Sequence, residues 1–180
     1  MVGDGIVLRP ARTAEVGLFR HLVTQHGGHT SRLGAVALTD LRGVADAMWN
    51  RAAALFVAEL DARPLAFATV FDLRLVHQTA WIDLLAPVDL DSHTSDAIVA
   101  DLLDICFTTW PLRAVRTADP VGSQPLLAAF GDRARREGRQ PGRCPGVAGG
   151  EGEIRAIWRA DVCHLTTDRT TTDGSQSRAR

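Results

Sequence analysis

The chain has 180 residues and a mass of 19.4 kDa, room for one domain with a substantial core and too little for two ordinary ones. Apolar residues make up 46% and charged residues 23%, which excludes both a disordered chain and a membrane protein. Twenty basic residues against 21 acidic ones leave a net charge of −1, so no bulk field grips a nucleic-acid backbone or an anionic bilayer, and neither is an expected partner.

The first predicted element is a short strand over Gly5–Ala11, followed by a helix capped by Thr13 and carrying Val16, Phe19, Leu22 and Val23 on one face. A polar Gly-His segment, Gln25 to Ser31, interrupts the pattern. Thr39-Asp40 starts a second helix with Leu41, Val44, Ala45 and Met48 aligned, and Ala54–Leu60 is a strand. The turn-like Asp61-Ala62-Arg63-Pro64 joins it to a strand over Leu65–Leu73, an antiparallel hairpin. A second turn at His77-Gln78 leads into the strand Thr79–Ala86, stopped by Pro87 and completing a three-strand meander. From Ser95, Ile98, Val99, Leu102, Leu103, Cys106, Phe107 and Trp110 recur at helical spacing until Pro111 ends the run. Leu112–Ala118 is predicted as a strand, Gln124–Glu137 as a helix, Gly138–Gly152 as an irregular strand or hairpin arm, and Glu153–Val162 as a last alternating strand. The expected domain is 1–163, with 164–180 a disordered polar tail.

This order of elements resembles the GCN5-related N-acetyltransferase (GNAT) family. Leu8-Arg9-Pro10 is similar to that family's first strand, and Phe56 to Leu65 to its second strand, turn and third. Ala118-Asp119-Pro120, Gln124-Pro125-Leu126-Leu127 and Arg136-Glu137-Gly138 are similar to the late segment of the branch acting on ribosomal-protein N-termini and amino sugars. The resemblance spans residues 6 to 162. It implies an α/β (α+β) fold with a central, mostly antiparallel sheet of six to seven strands and about four helices on both faces. It also implies an acyl-CoA-dependent transfer, acetyl-CoA being the expected donor, to an amine of a small metabolite or peptide. The alternative is a repurposed fold that does not use CoA, as a biosynthetic cyclase or isomerase or as a ligand-binding or structural partner.

In the family, one strand splays from its parallel neighbour, its backbone holds the pantetheine arm, and the next helix N-terminus takes the pyrophosphate. Unpaired N–H groups at a positive helix end favour an anion wherever the backbone comes close. The resemblance puts these donors at Leu84, Leu85 and Ala86 and at Ser92, His93, Thr94 and Ser95. The six positions of the glycine-containing signature fall on Val88–His93, and none matches. Asp89, Asp91 and Asp96 surround the expected phosphate position, where each repels a unit charge by ~1 kcal/mol at 4 Å in water. The same aspartates are also ordinary residues for the start of a helix, with Ser92 or Ser95 as a cap, and a cap uses the same N–H groups as a phosphate.

All twenty basic residues are Arg, and the chain has neither Lys nor Tyr. That removes a Schiff-base lysine, a phosphate-loop lysine and a phenolic acid; the compositional bias is that of a GC-rich genome. Amine acylation needs a base and an acid to reprotonate the thiolate. The family's glutamate position falls on Ala80, leaving Asp83, His93 and Glu59 as candidate catalytic groups, with His77 also close. Glu59 beside its turn is alternatively a solvated strand end. Asp83, flanked by Trp81, Ile82, Leu84 and Leu85, must face water or find a partner, and either a site or an ion pair with Arg116 satisfies it. The resemblance lays the Gly-His loop over the acceptor cleft, making His26, His29 and Arg32 candidate substrate contacts, together with His77.

No metal is expected, because His21, His26 and His29, and Cys144, Cys163 and His164, lack regular ligand spacing. The odd set Cys106, Cys144 and Cys163, without an export signal, predicts a reduced, cytoplasmic protein, with a homodimer possible. Arg133, Arg135, Arg136, Arg139 and Arg143 form a basic stretch on and after the predicted late helix, either a solvated face or an anion contact.

Overall fold

A computed structural model describes residues 5–25, 29–30, 34–35, 52–120, 126–140 and 152–162. Strands β1 (Ile6–Pro10), β4 (Ala52–Leu60), β5 (Arg63–Arg74), β6 (Thr79–Leu85), β7 (Ala114–Pro120), β8 (Arg135–Gln140) and β9 (Gly152–Trp158) form one sheet, ordered β1-β4-β5-β6-β7-β9-β8. A separate two-residue ladder joins β2 (His29–Thr30) to β3 (Gly34–Ala35). Every pairing in the large sheet is antiparallel except β6 with β7. The mostly antiparallel seven-stranded sheet agrees with the expected fold class.

Strand alternation divides the core into two layers. On one face lies helix α2 (Ser92–Thr109), whose Ile98, Val99, Leu102, Leu103 and Cys106 are fully buried against Ala58, Ala68, Val70, Ala80, Ile82, Val115 and Ile157. On the other face helix α1 (Val16–Gln25) sets Phe19 and Leu22 against Val57, Phe67 and Leu85. The Phe19 and Phe67 rings meet edge to face at 5.4 Å. Each side chain this size that leaves water contributes roughly 1.5–3 kcal/mol, so the two layers fix where β6 and β7 lie.

The β4–β5 hairpin turns through Asp61 and Ala62 with φ of 51° and 62°, a left-handed pair that matches the sheet's twist. A bend over 75–78 joins β5 to β6, as the His77-Gln78 signal predicts. The predicted helix over 39–48 and the predicted tail over 164–180 lie outside the described residues.

Two expectations are overturned. Within the expected helix Gln124–Glu137, residues Ala128–Arg133 form 3-10 turns kinked at Gly131 (φ 50°, ψ −130°), and Arg135–Gln140 is strand β8, paired with β9. Gly131 breaks the helical path and the exposed edge of β9 offers a ladder, so sheet pairing outweighs a weak helical pattern. The basic stretch is therefore no helix face: Arg135 pairs with Asp161 at 3.1 Å and Arg136 with Glu153 at 3.7 Å. Likewise the last strand stops at Trp158, not Val162, and Arg159–Val162 is one helical turn, α3. There the Arg159 side chain reaches back to the carbonyls of Phe107, Trp110 and Leu112 at 2.6, 2.8 and 2.8 Å, pulling the chain off the sheet. Smaller differences are at strand ends: β4 starts at Ala52, β5 spans Arg63–Arg74, and β7 runs Ala114–Pro120.

Candidate active site

The parallel pair β6–β7 has three rungs: Thr79 with Ala114, Ala80 with Val115, and Trp81 with Arg116. Beyond that rung each strand continues on its outer partner alone, β6 along β5 to Leu85 and β7 along β9 to Pro120. The strands therefore part and leave a wedge with its apex at Trp81 and Arg116, walled by 82–85 and 117–120. On one wall Thr117 and Ala118 are buried, and on the other Leu85 is buried and Leu84 half-buried.

Helix α2 starts beyond the end of β6, with Asp91 as its N-cap. Asp91 Oδ1 accepts the Thr94 N–H at 2.8 Å and its carbonyl accepts the Ser95 N–H at 3.1 Å, and the bond from Thr94 holds this carboxyl below its ordinary value. Asp96 moves the opposite way, raised by burial against a smaller lowering influence of His93. Ser92 and His93 are exposed, and Thr94 and Ser95 half-buried, so the four candidate donors form the first turn of α2, part of it occupied by Asp91.

Asp83 is half-buried on β6, beyond the apex and on the face away from α2. Its Oδ1 accepts the N–H of Leu84 at 2.9 Å, so one of the backbone donors expected for pantetheine bonds instead to its neighbour's carboxylate. Arg116, the expected ion-pair candidate for Asp83, places Nε 2.5 Å from Glu137 Oε2. Glu59 lies elsewhere, on β4 opposite Val7 of β1. It accepts from Arg9 Nε at 2.8 Å and Nη2 at 2.6 Å, and Glu15 joins the same guanidinium, which lowers the Glu15 carboxyl. His77 is exposed in the β5–β6 turn. His29 stands on β2 opposite Ala35, and His26 and Arg32 lie outside the described residues.

A cleft of about 580 Å³ adjoins the apex, lined by Trp81 and Trp158 with Arg74, Arg113, Arg116 and His77, and also by Asp72 and Thr79. Only His77 of this set is among the substrate candidates named from the sequence. The register that puts Trp81 beside Arg116, and Ala114 beside Trp158, is set by long-range pairing and has no local sequence signal. Among the described residues no three His, Cys, Asp or Glu side chains converge as metal ligands, and no helix is long and apolar enough to cross a membrane.

No family model matches the sequence, and no curated protein is detectably similar to it. Solved structures are. Mycobacterium smegmatis RimJ, solved in complex with CoA-disulfide, superposes with a TM-score of 0.70 at 20% identity, covering 91% of this chain and 89% of that one. The spermidine N-acetyltransferase of Vibrio cholerae, solved in complex with CoA and spermine, gives a TM-score of 0.71 at 12% identity, covering 88% of this chain and 98% of that one. The chain has the GNAT fold.

Proposed function

We propose that the protein transfers an acyl group from acyl-CoA, with acetyl-CoA the expected donor, to an amine of a small metabolite or peptide. The observation that carries this reading is the wedge: two parallel strands paired over three rungs and then parting, next to the start of an eighteen-residue helix. Such a gap accepts a slender chain carrying amide groups, and the helix end supplies N–H groups and a positive dipole for its phosphates. Structures of like fold were solved with CoA compounds, which supports the same donor here.

The donor supplies an activated carbonyl; a C–N bond to the amine forms as the C–S bond breaks. Asp83, half-buried beyond the apex, takes the proton the amine loses, and His93 on the first turn of α2 is the second candidate. Glu59, committed to Arg9, acts as a structural anion joining β1 and β4. With no Tyr in the chain, the departing thiolate receives its proton from Asp83, from His93 or from water.

One contact favours the CoA-free alternative. The Asp91 carboxylate occupies the Thr94 N–H and places a negative charge where a pyrophosphate would lie. Calorimetric titration separates the two readings. Acetyl-CoA and CoA should bind with dissociation constants on the order of micromolar, and Ser92→Trp, at the exposed first position of α2, should weaken both at least roughly tenfold. No heat and no thermal shift at millimolar acetyl-CoA would leave the fold in place and remove the acyltransferase reading.

A further inference from the structure

The cleft beside the apex carries a chemical preference of its own. Four of its lining residues are charged: Arg74, Arg113 and Arg116 against Asp72. Two of these arginines already hold carboxylates, Arg74 with Asp72 at 2.9 Å and Arg116 with Glu137 at 2.5 Å. Arg113 differs. Among the described residues its guanidinium makes no ion pair or hydrogen bond, while its backbone N–H is fixed to the Gln78 carbonyl at 2.7 Å. An anchored main chain with an uncommitted planar fork is the arrangement that takes a carboxylate by two parallel hydrogen bonds.

The walls point the same way. Trp81 and Trp158 bring two indoles to one open cleft of about 580 Å³, a volume on the scale of a small molecule with an apolar body. A polyamine finds the wrong field here: the two carboxylates at the cleft, Asp72 and Glu137, are already paired with Arg74 and Arg116, and Arg113 adds a further cation. Position completes the argument: Trp81 and Arg116 belong both to this cleft and to the last rung before the wedge opens. A molecule anchored at Arg113 by its acid group extends its other end toward the apex.

We infer that the acceptor is an amine that also bears a carboxylate and an apolar body, an amino acid or the end of a short peptide, with Arg113 as its anion anchor and Trp81 and Trp158 as its walls. This substrate class rests on the acyltransferase reading, but the binding site does not, and the two can be tested apart. The probes are L-phenylalanine, phenethylamine, which lacks only the carboxylate, and spermine, each added to the full chain without CoA. The readout is the set of four tryptophan indole N–H resonances. Phenylalanine should shift the Trp81 and Trp158 signals saturably at millimolar concentration and leave Trp110 in place, and phenethylamine should bind at least roughly tenfold more weakly. Arg113→Ala should abolish that difference between the two probes without moving the melting temperature, since Arg113 is exposed and uses only its backbone in the fold. Equal binding of the two probes, tighter binding of spermine, or an unchanged preference in Arg113→Ala would each overturn the inference. Phenylalanine binding in a protein that ignores acetyl-CoA would retain the site and discard only the acyl transfer.

Discussion

Asp91 shows how one side chain sets two properties of the same helix end. Its carboxylate accepts the Thr94 N–H, and that bond lowers its pKa, so the ionised form is the one the fold prefers. The sign follows from linkage: a group depressed below its unfolded value contributes stability above that value, 3.8, and loses the contribution as pH falls through the depressed folded value. Asp91→Asn keeps a good capping oxygen and removes the charge. The variant should therefore melt within about 2 °C of the parent at pH 7 and lack its share of the acid destabilisation below pH 4. It should also bind CoA about fivefold more tightly, since one repulsion near the pyrophosphate is gone. Melting curves between pH 2.5 and 7 with a CoA titration at pH 7 check both parts; unchanged CoA affinity would mean that the phosphates do not sit at this helix end. That a capped helix starts here was legible because N-cap chemistry is local, but the cap is Asp91 and not Ser92 or Ser95, both of which lie inside the helix. The commitment of Glu59 to Arg9 was not, because the partners lie 50 residues apart and meet only through the register of β1 on β4.

Among the elements, those with strong local signals follow the sequence closely. The Asp61-Ala62 turn, the β5–β6 bend and the buried stripe of α2 all follow from turn chemistry or 3.6-residue spacing. The failures are elements whose state is decided by a distant partner: β8 is a strand because β9 presents an edge, and α3 leaves the sheet because Arg159 is held from the α2–β7 connection. Local sequence still leaves room for improvement in the hairpin. Ala62 sits at φ 62°, where an L-residue with a Cβ is strained by roughly 1 kcal/mol and glycine is not. Ala62→Gly converts Asp-Ala into Asp-Gly, the favoured pair for a two-residue turn of this hand. The expected gain is about 1 kcal/mol, a rise of about 2–4 °C in melting temperature with the acid profile unchanged. A fall instead would show that the turn relaxes out of the left-handed region in solution.

At the scale of the whole molecule, the wedge depends on elements that never touch the ligand, because β6 and β7 part only if each is held on its outer side and from beneath. Arg159 is where several of these restraints meet. Its guanidinium takes the carbonyls of Phe107 and Trp110 at the end of α2 and of Leu112 before β7, while its own N–H binds the Arg113 carbonyl at 2.9 Å. The side chain also stacks over the Phe107 ring at 5.7 Å. One planar cation binds three helix-end and loop acceptors, of which the Trp110 carbonyl also accepts the Leu112 N–H at 2.7 Å, across 47 to 52 residues of chain. Truncation to Met leaves those carbonyls without the cation, at a cost of about 3 kcal/mol, so Arg159→Met should melt about 6–12 °C lower. Arg159→Lys supplies the charge without the fork and should recover less than half of that loss. Denaturant melts at constant m-value test the stability, and acetyl-CoA titration of the folded variants tests the link to the wedge. If the bracket at the base of α2 helps hold the strands apart, the Met variant binds acetyl-CoA more weakly even where it is fully folded; equal affinity would show that the outer ladders with β5 and β9 suffice to keep the gap open.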